Sequence, residues 1–261
     1  MVNSVYMPEI YIENLMFSNS KETYKASLCF CSFHDAASYK DIQRHLHHNE
    51  KKYFDGLTHE KRIKSFLLGR YAAKAAVGHL VNESNLERIL IQNGVFNQPV
   101  VAYGNNHNLQ ISITHCDEFG AAIAFPEVHP IGIDIEYASF RVAKVVEKQL
   151  TDKECNLVKS IPYSLDLAYT LMWTSKEALS KILKTGLTVS LNVLEIDKIE
   201  KKNNCIISYF TNFIQYYSIT FFIDRYVCSI VCPKNTDVDF DFSMLEDKLQ
   251  FIKRNHGEMI V

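Results

Sequence analysis

Short runs of alternating apolar and polar residues dominate this chain. Residues 5–17 and 26–33 alternate in part and are rich in β-branched and aromatic side chains, which predicts strands. From residue 59 to about residue 81 the apolar positions recur at helical spacing, so we predict one long helix with Thr58 as its N-cap. Apolar runs bounded by Gly, Asn and Pro then continue to residue 125 and predict a β-meander.

The second half of the chain shows the same order of elements. IGIDIEYA predicts a strand, residues 141–160 an amphipathic helix, and residues 164–184 a longer helix that ends near Gly186. Four apolar runs up to residue 233 predict antiparallel strands. We therefore expect an α+β fold of two similar, pseudo-symmetric lobes, each an antiparallel sheet packed with a long helix, with a cleft between them.

The segment FPEVHP interrupts the pattern between the two halves. Its two prolines favour a boundary between domains. We expect an N-terminal lobe over residues 1–128, a C-terminal lobe over 129–232, and a polar extension over 233–261.

Composition and charge exclude several classes of protein. The chain has 261 residues, 47% of them hydrophobic and 22% charged, as is ordinary for a globular protein. A net charge of −2 provides no overall basic field for nucleic acid or an anionic membrane. No apolar run is long enough to span a bilayer, and MVNSVYMPEI lacks the features of a secretory signal. The seven cysteines form no CxxC pair, which predicts reduced thiols and a cytoplasmic location.

The segment Gly132 to Glu136 reads GIDIE and alternates strictly. On a strand, Asp134 and Glu136 share one face with Gly132, and the isoleucines share the other. Two carboxylates so close together repel each other unless a cation binds them or water surrounds them. The pattern therefore allows a site for a hard cation such as Mg²⁺, but on this motif alone a strand with one solvated face is the better explanation.

The second motif, WTSKEALSK, lies in the predicted helix that ends near Gly186. Trp173, Glu177 and Lys181 follow i, i+4, i+8 spacing and share a face. Glu177 and Lys181 alone would also suit an ordinary ion pair on a helix surface.

Taken together, the two motifs are specific. GIDIE followed by WTSKEALSK resembles the paired signature of the phosphopantetheinyl transferase superfamily, and the spacing is similar to that of the Sfp type. EKKYF at 50–54, SFLLGRYAAKAAV at 65–77 and SITHC at 112–116 are similar to further landmarks of this family, in the same order.

The resemblance implies an activity and its partners. The chain is expected to transfer the 4′-phosphopantetheine group of coenzyme A to a serine of an apo acyl or peptidyl carrier protein and to release 3′,5′-ADP. Mg²⁺ is the expected cofactor, and a monomer is the expected state because two fused lobes supply the cleft.

The resemblance also implies roles for individual residues. Asp134, Glu136 and Glu177 match the metal ligands, and Glu177, Lys181 and Asp134 the catalytic residues. The expected contacts to coenzyme A are Lys52, Arg70, Gln98, Thr114, His115, Lys176 and Lys181. Gln98 stands where the family often has lysine, and Thr114 where it often has serine.

Several features favour a structural interpretation. Lys74 is expected to form a solvated basic strip or an ion pair, and lobe packing explains Arg70 about as well as a phosphate contact does. The histidines at 45, 47 and 48 predict an exposed polar turn rather than a metal site. Two other functions stay open, namely a non-catalytic module that binds coenzyme A or a carrier protein, and an unrelated Mg²⁺-dependent phosphohydrolase.

Overall fold

The computed structural model describes residues 9–33, 36–104, 108–117 and 119–257. The α-helices are α1 (Ala36–Gln43), α2 (His48–Phe54), α3 (Glu60–Val81), α4 (Phe140–Glu147), α5 (Asp152–Ser160), α6 (Leu165–Leu183) and α7 (Phe242–Gly257). The strands are β1 (Glu9–Ser18), β2 (Thr23–Ser32), β3 (Leu90–Asn93), β4 (Pro99–Ala102), β5 (Leu109–Cys116), β6 (Phe119–Pro126), β7 (Gly132–Tyr137), β8 (Ile196–Lys202), β9 (Cys205–Phe210), β10 (Tyr216–Ile223), β11 (Tyr226–Pro233) and β12 (Asp237–Asp239). The predicted α+β class is confirmed.

The chain forms two compact units, one built mainly from Tyr24–Val128 and the other mainly from His129–Gln250. Each contains one long helix packed on an antiparallel sheet. The pseudo-symmetry and the cleft remain predictions. Within the described ranges, no helix combines the length and the apolar character needed to cross a membrane.

In the first unit, α3 packs on β5 and β6 of the strand order β1-β2-β6-β5. Small residues allow this close packing. A Cβ atom on Gly120 of β6 would lie 2.9 Å from the backbone oxygen of Leu68. The next two residues of β6 are alanines. β3 and β4 form a separate two-stranded sheet.

In the second unit, α6 packs on β7 and β11 of the sheet β7-β11-β10-β9-β8. The contact between helix and strand is again close. A Cβ atom on Gly132 would lie only 1.9 Å from the backbone oxygen of Ala178, so no larger residue fits this position.

The structure corrects three expectations about helix boundaries. Residues 141–160 form two helices instead of one, because Thr151 is an N-cap that starts α5 in a capping box with Glu154. α6 ends at Leu183, and its C-cap is the left-handed Lys184 rather than Gly186, although Gly186 is left-handed as well. His59, not Thr58, precedes the first turn of α3.

Candidate active site

β7 places Asp134 against helix α6. Asp134 is 5% exposed, and Ile133 and Ile135 on the opposite face of the strand are fully buried. Both faces of β7 are therefore covered, and the interpretation of GIDIE as a strand with one solvated face is wrong. A carboxylate buried in this way needs a positive partner.

Lys181 of α6 supplies that partner. Its Nζ atom donates to Oδ1 of Asp134 at 2.8 Å and to the backbone oxygen of Ile133 at 2.7 Å. The Lys181 side chain keeps 26% of its surface exposed.

Glu177 lies one turn before Lys181 on the same helix and is close to Asp134. Burial raises the pKa of its carboxyl group, and the negative charge of Asp134 raises it further, whereas Lys181 acts in the opposite direction. Oε1 of Glu177 is buried and has no hydrogen-bond partner in the described part of the chain. Asp134, Glu177 and Lys181 thus form a cluster of two carboxylates and one ammonium group.

Glu136 is half-buried on β7, two residues beyond Asp134. Among the described residues, no three His, Cys, Asp or Glu side chains are arranged as a ready-made metal site. The ligand set of Asp134, Glu136 and Glu177 therefore remains a prediction, with Asp134 and Glu177 as its neighbouring pair.

The expected contact between Lys176 and phosphate is wrong. Lys176 is fully buried, and its Nζ atom lies 2.7 Å from Oε1 of Glu154 and 3.0 Å from the backbone oxygen of Leu191. Glu154 also accepts hydrogen bonds from the backbone N–H groups of Thr151 and Ile196. Lys176 therefore joins α6 to α5 and to the start of β8, where no ligand can reach it.

Lys74 of the first unit is in a matching environment. Its Nζ atom lies 2.7 Å from Oε2 of Glu50 and donates to three backbone oxygens. Glu50 also accepts from the backbone N–H groups of His47 and Ile91. The ion-pair interpretation of Lys74 is correct, but the pair is buried rather than solvated.

The first unit contains a basic cavity of about 600 Å³. His115 and Arg70, both expected to contact coenzyme A, line it. The other polar lining residues include Tyr53, His59, Lys61, Arg62, Ser65, Asn93 and Asn97. The positive charges in this lining favour an anionic ligand.

Arg70 is packed within the first unit and also lines this cavity. Its guanidinium group lies over the ring of Phe66, with Nε 3.7 Å from Oε1 of Glu50 and Nη2 3.3 Å from Oδ1 of Asn93. Its Nε atom is buried and makes no hydrogen bond within the described ranges. Arg70 is thus held in place by packing, while it remains part of the cavity wall.

Three other expected contacts lie elsewhere. Thr114 is buried and His115 is exposed, because neighbouring residues of a strand point to opposite faces, so the expected pairing of the two side chains on one phosphate is wrong. Lys52 is exposed on α2 and does not line the cavity. Gln98 accepts a hydrogen bond from the backbone N–H of Phe96 and so stabilises its own turn.

Two further basic residues of this cavity, Lys61 and Arg62, lie outside the expected contacts, although the sequence contains a signal for them. Lys61 and Arg62 stand in the first turn of α3, where the helix dipole disfavours positive charge. Arg62 also donates to the hydroxyl group of Tyr53 at 3.2 Å. Basic residues at a helix N-terminus suit an anion site, because the helix dipole also favours negative charge there.

The cluster on β7 and α6 lies inside the segment that matches a known family. Residues 130–231 match the model of the 4′-phosphopantetheinyl transferase superfamily. The predicted resemblance to this superfamily is confirmed.

A curated protein is also similar to this chain. The chain is 27% identical over 133 residues to a protein of Aneurinibacillus migulanus named 4′-phosphopantetheinyl transferase gsp. The match covers 51% of this chain and 53% of that protein, so the chain spans about half the length of the curated relative that it matches. The Sfp type remains a prediction.

Proposed function

We propose that this protein transfers 4′-phosphopantetheine from coenzyme A to a serine of an apo carrier protein and releases 3′,5′-ADP. The observation that carries the proposal is the cluster of Asp134, Glu177 and Lys181, built by β7 and α6 within residues 130–231. Transfer of a phosphoryl-type group needs positioning and charge stabilisation more than covalent participation of the protein, and this cluster supplies both.

A divalent cation fits the two neighbouring carboxylates. The buried Oε1 atom of Glu177 lacks a partner among the described residues, and oxygen ligands suit Mg²⁺. We propose Asp134 and Glu177 as ligands, with Glu136 as a third. When bound, the ion would supply neutralising charge for the pyrophosphate of coenzyme A.

The remaining steps belong to side chains of the protein. The serine oxygen of the carrier forms a new bond to the phosphorus that carries the pantetheine arm, and the bond from this phosphorus to the 3′,5′-ADP oxygen breaks. Glu177 accepts the proton of the serine hydroxyl, directly or through water, and its raised pKa suits it to this role. Lys181 stabilises the negative charge that develops on the departing ADP.

We also propose that the basic cavity of the first unit binds a phosphate group. Lys61, Arg62, Arg70 and His115 would hold it. This assignment replaces Lys176 and Thr114, and it leaves Lys52 and Gln98 as weaker candidates.

Helix α4 offers a surface that would suit an acidic carrier protein. Phe140 and Val145 are 71% and 52% exposed, and the same helix and its C-cap carry the exposed Arg141, Lys144 and Lys148 beside one exposed acidic residue, Glu147. Lys144 lies over the Phe140 ring at 4.6 Å. Association driven by these charges should slow as salt concentration rises.

Mass spectrometry tests the proposed function directly. Purified protein is incubated with coenzyme A, Mg²⁺ and an apo carrier protein, and the carrier is weighed. We expect the added mass of phosphopantetheine with the wild type and a loss of orders of magnitude with Glu177→Gln. Glu246→Gln is a matched control, because Glu246 is another half-buried helical glutamate whose pKa burial raises.

Other outcomes identify the alternatives. Tight binding of coenzyme A without carrier modification would indicate a binding module. Release of a product from coenzyme A with an unchanged carrier would indicate a phosphohydrolase.

A further inference from the structure

A chain of buried hydroxyl groups lies between α6 and its sheet. Thr174 and Ser175 of α6 face Ser218 and Thr220 of β10 and Ser229 of β11. All five residues are fully buried. Helix–sheet contacts are usually apolar, so a polar layer at this place calls for a specific role.

The five hydroxyl groups can form a continuous series of hydrogen bonds in which each group donates to the next. Ser218 donates to Ser175 at 3.0 Å, and Thr174 donates to the backbone oxygen of Leu171 at 3.3 Å. The distances between are 3.3 Å from Ser175 to Thr220, 2.7 Å from Thr220 to Ser229 and 2.7 Å from Ser229 to Thr174. Each hydroxyl then donates once, and no proton is left without an acceptor.

One end of this series of hydroxyl groups lies beside the candidate active site. Ser229 is the cross-strand partner of Asp134 in the ladder of β7 and β11, so the two side chains share a face of the sheet. Thr174 and Ser175 precede Glu177 by three and two residues on α6. The hydroxyl chain therefore connects the strands beside one carboxylate to the helical turn that carries the other.

The close contact at Gly132 and the ion pairs of Lys176 and Lys181 already hold α6, and directional hydrogen bonds restrict its register further, because the hydrophobic effect itself has no direction. A slip of one residue moves a helix by about 1.5 Å and rotates it by about 100°. Such a slip would break every hydroxyl contact of α6 and would carry Glu177 away from Asp134. Misplacement by about 1 Å can cost roughly 100-fold in rate.

We propose that this hydroxyl chain is a positioning device that sets the register of α6, and thereby the place of Glu177 relative to Asp134. The proposal rests on the proposed transferase function. Thr174 and Ser229 are its central members, and neither is expected to touch the substrate.

Thr174→Val tests the proposal, because valine keeps the shape of threonine and removes the hydroxyl. We expect kcat to fall by about 10- to 100-fold, with the KM for coenzyme A within about threefold of wild type. Thr174→Ser, which retains the hydroxyl, should restore kcat to within about threefold. Thr236→Val is the matched control, since it removes a buried 2.8 Å hydrogen bond to His129 in the same unit without touching α6.

A second measurement does not depend on activity. Trp173 is the only tryptophan of the chain and precedes Thr174. Its emission should shift in Thr174→Val and return in Thr174→Ser, while the control leaves it unchanged. Unaltered kcat and emission in folded Thr174→Val, or an equal loss of kcat in the control, would overturn the proposal. If the wild type itself does not modify a carrier, the proposed function is wrong. The Trp173 emission of Thr174→Val, Thr174→Ser and the control then tests the positioning role by itself.

Discussion

The buried pair of Lys176 and Glu154 should be one of the most sensitive points of the second unit. Both side chains are fully buried. Replacing Lys176 by methionine keeps most of the volume but leaves the Glu154 carboxylate without its cation. Removing one partner of a buried ion pair costs about 3–5 kcal/mol, a large part of the 5–15 kcal/mol that typically stabilises a protein.

The double variant Lys176→Met, Glu154→Gln removes both charges and should recover part of this loss. The glutamine oxygen can accept from only one of the two backbone N–H groups that Glu154 now binds, those of Thr151 and Ile196. One unsatisfied donor costs about 1–3 kcal/mol. We therefore expect the double variant to be more stable than Lys176→Met by at least about 1 kcal/mol.

Urea unfolding followed by Trp173 fluorescence is the suitable assay, because Trp173 packs against the same core as α5 and α6. Lys153→Met is the control. It removes an ion pair with Asp197 in which both side chains are about half exposed, and it should cost less than about 1 kcal/mol. A cost below about 1 kcal/mol for Lys176→Met, or a double variant less stable than Lys176→Met, would refute this account of the pair.

Three further predictions concern the same unit. Gly132→Ala should lower both the free energy of unfolding and the transfer rate, because the new Cβ would lie 1.9 Å from a backbone oxygen of α6. Chemical unfolding and the mass assay check this prediction. A variant with unchanged stability and rate would contradict the close packing of α6 on β7. Glu177→Gln should raise the melting temperature at neutral pH, since the folded state raises the pKa of this carboxyl group and so disfavours its charged form. The gain in melting temperature should fade as the pH falls towards the unfolded pKa of about 4.3. A gain that grows on acidification would be inconsistent with a raised pKa. Burial lowers the pKa of His129 to about 4. The wild type should therefore lose stability as the pH falls from about 6.5 to 4, because in this range the unfolded state binds a proton that the folded state does not. His129→Gln should flatten this part of the plot of melting temperature against pH, and an equally steep plot would refute the lowered pKa of His129.

Much of the fold could be predicted from local patterns. α3 and the strands follow the period of their apolar residues, which local sequence shows directly. The break between α4 and α5 could also have been predicted from the sequence, because Thr151 and Glu154 form the S/T-x-x-E signature of a helix start. The C-cap of α6 could not be predicted in this way, since Lys184 caps the helix in a left-handed conformation that usually favours glycine, two residues before the left-handed Gly186.

The candidate site shows where sequence patterns are insufficient. Asp134, Glu177 and Lys181 could be predicted because they occur in motifs with regular spacing. Lys176 could not be separated from Lys181 by the motif alone. Its burial depends on Glu154, which is distant in sequence and approaches only after α5 and α6 have packed.

The cytoplasmic location and the monomeric state stay predictions. Gel filtration with light scattering would measure the oligomeric state.

Lys74 and Lys176 offer a way to watch each unit open separately. Both amines are inaccessible in the folded protein, and one belongs to each unit. A reagent that modifies accessible amines would therefore mark Lys74 only when the first unit opens and Lys176 only when the second does. Peptide mapping over a denaturant series would then show, within one sample, whether the two halves of the chain lose their structure together or in sequence.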